Sequence, residues 1–417
     1  MTGQVTWESR GYGTNDYVVE VETSKNIHKQ YRFASNFGKL SRPMKSETVG
    51  QGESARTLDV GQSSCIWAKT IKTGDEVRFT LEQNMDGTPT YGDAEVKVGN
   101  YLAYLHENVI LNKLDTPAVP VQGEMSQHRI KAVIGDPESR IRSEISKYLA
   151  EQYVYDVLEG HFRGASRNLM ADRSLGGRAI DLDLGAGVQV SPENFLVKGD
   201  GFVSGTSGTA AYETSLETAL ATLGATDLVD RAYMHTIRDA LTSKKIAPTT
   251  MGEARDKWYV AVDPDLMRRM TAPAGALATL WASSRERSTS NPVFGHGSVE
   301  LDDMIFFPEQ RLKQFRPVLS NPGIAWGTNS ENRRNFTTSS VMCLMVVLGN
   351  GALLEGNDGM VDITYEKGFH GKGATISGHI KEAFMRGRWK DKDGRSTAVR
   401  LNQSSMTIAF YDAGPTY

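Results

Sequence analysis

Asp181 and Asp183, followed by Gly185-Ala186-Gly187, come nearest to a cation site in this sequence. Alternate residues of a strand point to the same side, and divalent ions take carboxylate oxygens. Aspartate and glycine together are also what tight turns use, and the turn is the simpler reading. None of the eight histidines (His28, His106, His128, His161, His235, His296, His370 and His379) lies four residues from another, so the helical two-histidine zinc pattern is absent. Gly199-Asp200-Gly201 to Gly205 does not lead from an apolar strand into a helix as a phosphate loop does, and in Gly371-Lys372-Gly373 the lysine is followed by glycine where such a loop needs Ser or Thr. Gly205-Thr206-Ser207-Gly208 lacks the glycine spacing of a nucleophile elbow. One basic cluster remains: Arg386, Arg388, Lys390, Lys392 and Arg395 alternate along the chain, so several charges can share a face and meet DNA phosphates. Asp391 and Asp393 dilute it, and an exposed hairpin between two strands is the plainer reading; Arg333-Arg334 and Lys244-Lys245 are weaker still. These residues predict no catalytic, cofactor-binding or metal-binding set.

The whole chain excludes further classes. Its 417 residues suit two or three globular units. Lys plus Arg number 47 against 50 Asp plus Glu, a net charge of −3, which does not mark a dedicated polyanion binder. Two cysteines, Cys65 and Cys343, exclude a disulfide framework and a multi-cysteine zinc module, and both read as small buried apolar residues. The longest strongly apolar run is Val341 to Leu348, far below the roughly 20 residues of a bilayer span. The first residues lack a basic segment leading into an apolar one, so the sequence predicts a chain that stays in the cytosol where it is made, with no membrane partner.

The elements that must carry any function are spread out. Residues 1–64 are polar, with small apolar groups at Tyr17 to Val21 and Tyr31 to Phe33, and in isolation they read as a tail that neighbouring copies hold in place. Val77, Phe79 and Leu81 alternate with Arg78, Thr80 and Glu82 in a half-buried strand. Breakers follow at Asp86 to Asp93, a second strand-like run at Tyr101 to Leu111, and an interruption at Thr116 to Pro120, so 74–120 reads as a long antiparallel excursion. Next comes a long helix. Asp136 caps it, Pro137 takes the first position, and Ile141, Ile145, Tyr148, Tyr155 and Phe162 recur at helical spacing until Gly160 and Gly164 mark the exit. That predicts a spine of about 26 residues, roughly 39 Å. Two helices are expected at 211–223 and 227–243, and another at Asp265 to Met270. Strands are expected at Lys257 to Val262, Met304 to Phe307, Met342 to Leu348, Ala374 to Phe384 and Met406 to Tyr411. The class is α+β, without an internal repeat.

The order of these features carries a resemblance. Gly74-Asp75, the alternating strand, Asp86-Gly87-x-Pro89-x-Tyr91-Gly92-Asp93, a second strand, Gly123 to Arg129 and the capped helix are followed by Tyr259 to Pro264, Asn291 to Gly295 and Val341 to Gly349. This set, over about 74–384, resembles the tailed-bacteriophage major capsid proteins of the coliphage N-four lineage, whose fold is similar to the Hong Kong 97 type of shell protein. Residues 1–60 and 165–210 match nothing in the pattern, and Gly368 to Gly373 departs from it.

The resemblance implies an N-terminal arm at 1–73, an extended β-hairpin or E-loop at 74–122, and a peripheral domain at 123–270 with its spine helix at 137–162. An axial domain at 271–368 and C-terminal strands at 369–417 returning to the peripheral domain complete it. It implies that the tip of the E-loop, at Asp86, Gly87, Pro89, Tyr91, Gly92 and Asp93, touches neighbouring copies. It also implies a non-enzymatic chain that assembles as pentamers and hexamers around double-stranded DNA. Near-neutral charge suits this, since strong non-specific DNA binding would interfere with packaging. The partners implied are other copies of the chain, a portal, a separate scaffolding protein and possible decoration proteins, with the packaged DNA held non-specifically. The stretch before the E-loop is short for a fused scaffold, so neither a fused scaffold nor cleavage is expected. The alternatives are an encapsulin-like shell enclosing enzymes and, more remotely, a metal-dependent hydrolase using Asp181 and Asp183.

Overall fold

The computed structural model describes residues 35–49, 56–60, 63–71, 76–82, 104–122, 137–164, 191–204, 210–244, 246–250, 256–272, 299–319, 324–326, 342–367, 373–386 and 404–411, with single positions at 28, 32, 166, 275 and 278. Two seven-stranded sheets organise them, and the long helix lies between.

The first sheet is centred on Gly373–Met385, a thirteen-residue strand. Leu353–Asn357 and Asp362–Lys367 pair antiparallel along one side of it, and Asn112–Asp115 and Val119–Gln122 along the other. Ile66–Thr70 then pairs parallel to Leu353–Asn357, and Ser41–Pro43 parallel to Ile66–Thr70. The second sheet is centred on Met342–Leu348. Ser405–Tyr411 and Trp258–Val262 flank it antiparallel, Phe195–Val197 and Met304–Pro308 lie outside these in parallel, and the two-residue strand Gly201–Phe202 and Val299–Leu301 close the edges.

Periodicity explains why the second sheet reads as continuous apolar runs. Leu344, Val346 and Leu348 face the helix-filled core, whereas Cys343, Met345 and Val347 face a second core with Met234, Ile237 and Leu241 of the helix Arg231–Ser243 and Leu266 and Met270 of the helix Pro264–Thr271. A strand covered on both faces has no need of polar alternation. The helix caps follow from single side chains: Asp230 accepts from the amide of Tyr233 at 2.7 Å, and Asp263 from that of Asp265 at 3.0 Å. The first of these helices therefore starts at Arg231, later than the expected 227, because 224–230 forms the turn that carries its cap.

The long helix spans Pro137–Arg163. Its first half buries one stripe, at Ile145 and Leu149, with Ile141 and Tyr148 half-exposed, whereas residues 152–162, Tyr155 and Phe162 among them, are buried on every side. Gly160 does not mark the exit. A Cβ there would stand 2.9 Å from the Cβ of Phe384, so this glycine lets the helix lie close against the central strand, and Gly164, at φ +82°, makes the stop. Phe162 stacks on Phe315 at 5.3 Å and Tyr155 meets the same ring at 5.1 Å, which binds the helix to the segment following Met304–Pro308. Among the described residues no helix is long and apolar enough to cross a membrane.

Two expectations about organisation change. The expected boundaries do not follow the sheets: 195–202 and 258–262 join 342–348, while 353–357 and 362–367 join the sheet under the long helix. The crossing point is Gly349-Asn350-Gly351, where the amides of Gly349 and Gly351 bond to the carbonyls of Ser404 and Ser64 and Gly351, at φ +67°, sits on the Trp67 ring. Likewise Gly373–Met385 and Ser405–Tyr411 do not pair with each other as a hairpin; each finds partners in a different sheet.

Candidate assembly surfaces

The strand Leu353–Asn357 is buried along its whole length and divides two layers. Leu353 and Glu355 look toward the long helix, Leu354 and Gly356 away from it. Glu355, with 0% exposure, accepts from Arg32 Nη2 at 2.7 and 2.8 Å, from Ser41 Oγ at 2.6 Å, from Asn357 Nδ2 at 2.7 Å and from Tyr153 Oη at 3.2 Å. One carboxylate therefore ties the N-terminal segment, the helix and the sheet together. A buried carboxylate persists only where its lone pairs and charge are met, and Arg32 supplies the countercharge. The signal in sequence was an acid inside the apolar run Ala352-Leu353-Leu354-Glu355.

This corrects, at the residues described within it, the reading of 1–64 as a tail that neighbouring copies hold in place. Phe37, Leu40, Cys65 and Ile66 are wholly buried in the chain's own core, and Phe37 meets Phe307 edge-on at 5.8 Å. Few apolar residues were needed, because parallel pairing with Leu353–Asn357 brings them between the two sheets.

On the other side of Leu353–Asn357 stands the hairpin Glu76–Glu82 with Tyr104–Ile110, paired antiparallel from Glu76↔Ile110 to Glu82↔Tyr104. Val77, Phe79, Val109 and Leu111 pack on Leu354, Ala383 and Met385 in a separate small cluster, so the base of the excursion is buried in its own chain. The expected tip residues Asp86, Gly87, Pro89, Tyr91, Gly92 and Asp93 lie outside the described residues, as do Asp136, Asp181 and Asp183.

Arg386 leaves the expected basic patch. It is 8% exposed, its amide bonds to Gly164 O at 3.0 Å, and its Nη1 donates to Ser191 O at 3.1 Å, so it joins the end of the long helix to the second sheet's entry. A side chain so engaged cannot meet a phosphate. Arg388, Lys390, Lys392 and Arg395 lie outside the described residues. Lys198-Gly199-Asp200 is a hairpin turn between paired strands, with Gly199 at φ +95°, which accounts for the glycines without any phosphate.

Among the groups that titrate away from their ordinary range are His161, Glu309 and Asp358. Burial, helped by the charge of Arg386, lowers His161 to about 3; its Nε2 is 2.8 Å from Thr407 Oγ1, linking the helix to the second sheet. Burial raises Glu309 to about 7, although it accepts from the Arg311 amide at 3.3 Å, and raises Asp358 to about 6. Beside Glu309, Arg316 clamps Asp263 with two bonds of 2.7 Å and reaches Asp265 at 2.8 Å. His161 and Arg316 act as internal braces between the elements they join.

No family model matches the sequence, and no curated protein matches it. Solved structures do. The capsid of Ralstonia phage GP4 aligns with TM-score 0.56 and 17% identity over 85% of this chain and 89% of that chain. The capsid of cyanophage Pam1 aligns with TM-score 0.56 and 12% identity over 91% and 93%. The capsid of Helicobacter pylori bacteriophage KHP30 aligns with TM-score 0.53 and 8% identity over 90% of each chain. The fold is the Hong Kong 97 capsid fold. At such identities the likeness is one of fold.

Proposed function

We propose that the chain is the major capsid protein of a tailed bacteriophage, of the coliphage N-four lineage by its motif order. In this reading it assembles as pentamers and hexamers into an icosahedral shell around double-stranded DNA and does no covalent chemistry. The observation that carries it is the likeness of fold to phage capsids over 85% or more of the chain, reached independently of the motif order. The hairpin supports it: two paired strands, Glu76–Glu82 and Tyr104–Ile110, have their base packed in their own chain. We assign the long helix and the sheet under it to the peripheral domain, and the sheet of Met342–Leu348 with its helices to the axial domain, in place of a division at 270 and 368. Contacts from the E-loop to the next copy repeat around rings of five and six, and many weak contacts per copy sum to a stable container. A portal and a separate scaffolding protein complete the assembly in this reading.

Electron microscopy of the purified chain, beside a variant lacking residues 84–94, tests this. Shells, tubes or capsomer rings are expected from the full chain and none from the deletion. A monodisperse monomer from both, persisting when a candidate scaffolding protein is co-expressed, would overturn the reading. Shells of uniform native size from this chain alone would remove the scaffolding partner, and shells that enclose an enzyme in place of DNA in the native source would favour a cellular compartment.

A further inference from the structure

The hairpin meets the body at a residue without a side chain. A Cβ on Gly356 would lie 2.7 Å from Leu111 Cδ2, 3.1 Å from Val77 Cγ2 and 3.3 Å from Val109 Cγ1, the three side chains at the base of the hairpin. Gly356 does not have the backbone conformation that would itself demand glycine, since its φ is not among the positive ones. Space is the reason for its being there. The strand on which it sits is also held firmly from behind, because Glu355 and Asn357 on either side belong to the charged knot with Arg32, Ser41 and Tyr153.

The way the hairpin is attached matters as much. Among the described residues its two strands form a sheet of their own, paired only with each other. Beyond the chain itself, which continues from Ile110 through Leu111 into the strand Asn112–Asp115 of the first sheet, what fastens it to the body is the small apolar cluster, with Lys69 Nζ donating to Arg78 O at 2.7 Å and lying over the Phe79 ring at 5.9 Å. A hydrogen-bonded ladder fixes register and angle, whereas apolar packing is non-directional and lets a stiff two-stranded unit rock. We propose that Gly356 is the seat of the hairpin, that the volume at this one position sets the angle at which the hairpin leaves the body, and that this angle sets the curvature of the shell.

The inference rests on the shell reading for its last step only. From Val77 to Glu82 the strand covers about 17 Å at roughly 3.4 Å per residue, so a tilt of about 10° at the seat moves its far end by about 3 Å, enough to break a hydrogen bond to another copy. Filling the seat should therefore redirect assembly while leaving the rest of the fold intact. Compensation is available too: removing bulk from Leu111 makes room for the new side chain.

The experiment places spin labels at Glu82, the far end of that strand, and at Lys147, which is exposed, and measures their separation in the full-length chain carrying the native sequence, G356A, G356V and G356V/L111A. G356V is expected to shift the distance by about 3 Å or more, G356A by less, and the double variant to return toward the native value; the same order should appear in the diameter or closure of particles seen by electron microscopy. An unchanged distance in G356V, or in G356A if G356V does not fold, would overturn the seat. So would a shift that L111A fails to reverse. A shifted distance with particles identical to the native ones would overturn the link to curvature. A native chain that forms no particle with or without a scaffolding protein would fail the shell reading itself, while the distances still decide whether Gly356 seats the hairpin.

Discussion

The two sheets solve the same problem with different materials. Around Met342–Leu348 both faces are apolar and both are covered by the chain's own helices and strands. Around Gly373–Met385 and Leu353–Asn357 one face carries the buried carboxylates Glu355 and Glu382 among its apolar residues, and part of the other is covered only by a hairpin on a small satellite cluster. The first is a centre of cohesion. The second is a junction, where the N-terminal segment, the long helix and the hairpin meet, and its polar knot makes their arrangement conditional on one another. Under the proposed shell function, such a division would let a stable body and a limb be altered separately.

The sharpest way to break the comparison is at the knot. Arg32→Met leaves Glu355 buried without its countercharge and is expected to cost about 3–5 kcal/mol in chemical denaturation. A variant with both Arg32→Met and Glu355→Gln should recover a large part of that; equal losses would mean the pair is packing, not charge. Next, the same truncation in the two regions should differ. Leu344→Ala is expected near the top of the range of about 2–5 kcal/mol, and Leu111→Ala near the bottom, because the hairpin can settle into the space it leaves and a closed core cannot. Similar losses in both would show that the hairpin is as rigid as the body.

The third test uses pH and separates the braces. For Glu309 the folded pKa, about 7, lies above the ordinary 4.5, so its contribution is fully present below pH 4.5 and is lost as pH rises through 7, on the order of 3 kcal/mol. Glu309→Gln should gain stability relative to the native chain between pH 5 and 8. His161 runs the other way. Its folded pKa, about 3, lies below the ordinary 6.5, so its contribution is present above pH 6.5 and lost as pH falls toward 3. His161→Gln should flatten the acid limb of the stability profile, and an unchanged limb would mean that the helix and the second sheet are not joined through this group. The smallest effect is expected on the exposed half of the long helix, where Lys147→Ala removes a bond of 2.8 Å to Glu144 and should change the stability read from thermal melts by no more than a few tenths of a kcal/mol.

Local pattern sufficed for much of this. The runs Trp258–Val262, Met304–Pro308 and Met342–Leu348 were legible because strands buried on both faces leave no other composition open to them, and the helix Pro137–Arg163 because Pro137 and its stripe announce it. The turn at Asp302-Asp303 was not legible: both residues have positive φ, 51° and 63°, without the glycine that usually signals such a turn. Nor was the site. The element order of a hairpin followed by a long helix could be read from alternation and spacing, yet the seat at Gly356 shows only when Leu111, Val77 and Val109 are set against it.

Residues such as Phe37 and Arg386 mark the boundary between the two kinds of information. The amino-acid sequence by itself determined the long helix and the strands that are apolar throughout, Trp258–Val262, Met304–Pro308 and Met342–Leu348, since these depend on neighbours within a few residues. Tertiary structure alone decided that Phe37, Leu40, Cys65 and Ile66 belong to the body, that Arg386 faces inward, that Gly160 and Gly356 are places of close approach, and that the two last long strands part company. Those outcomes depend on pairings between residues hundreds of positions apart, such as Ser41 with Glu355. Such a pairing is selected by the free energy of the whole packed arrangement and leaves no period in the chain to read.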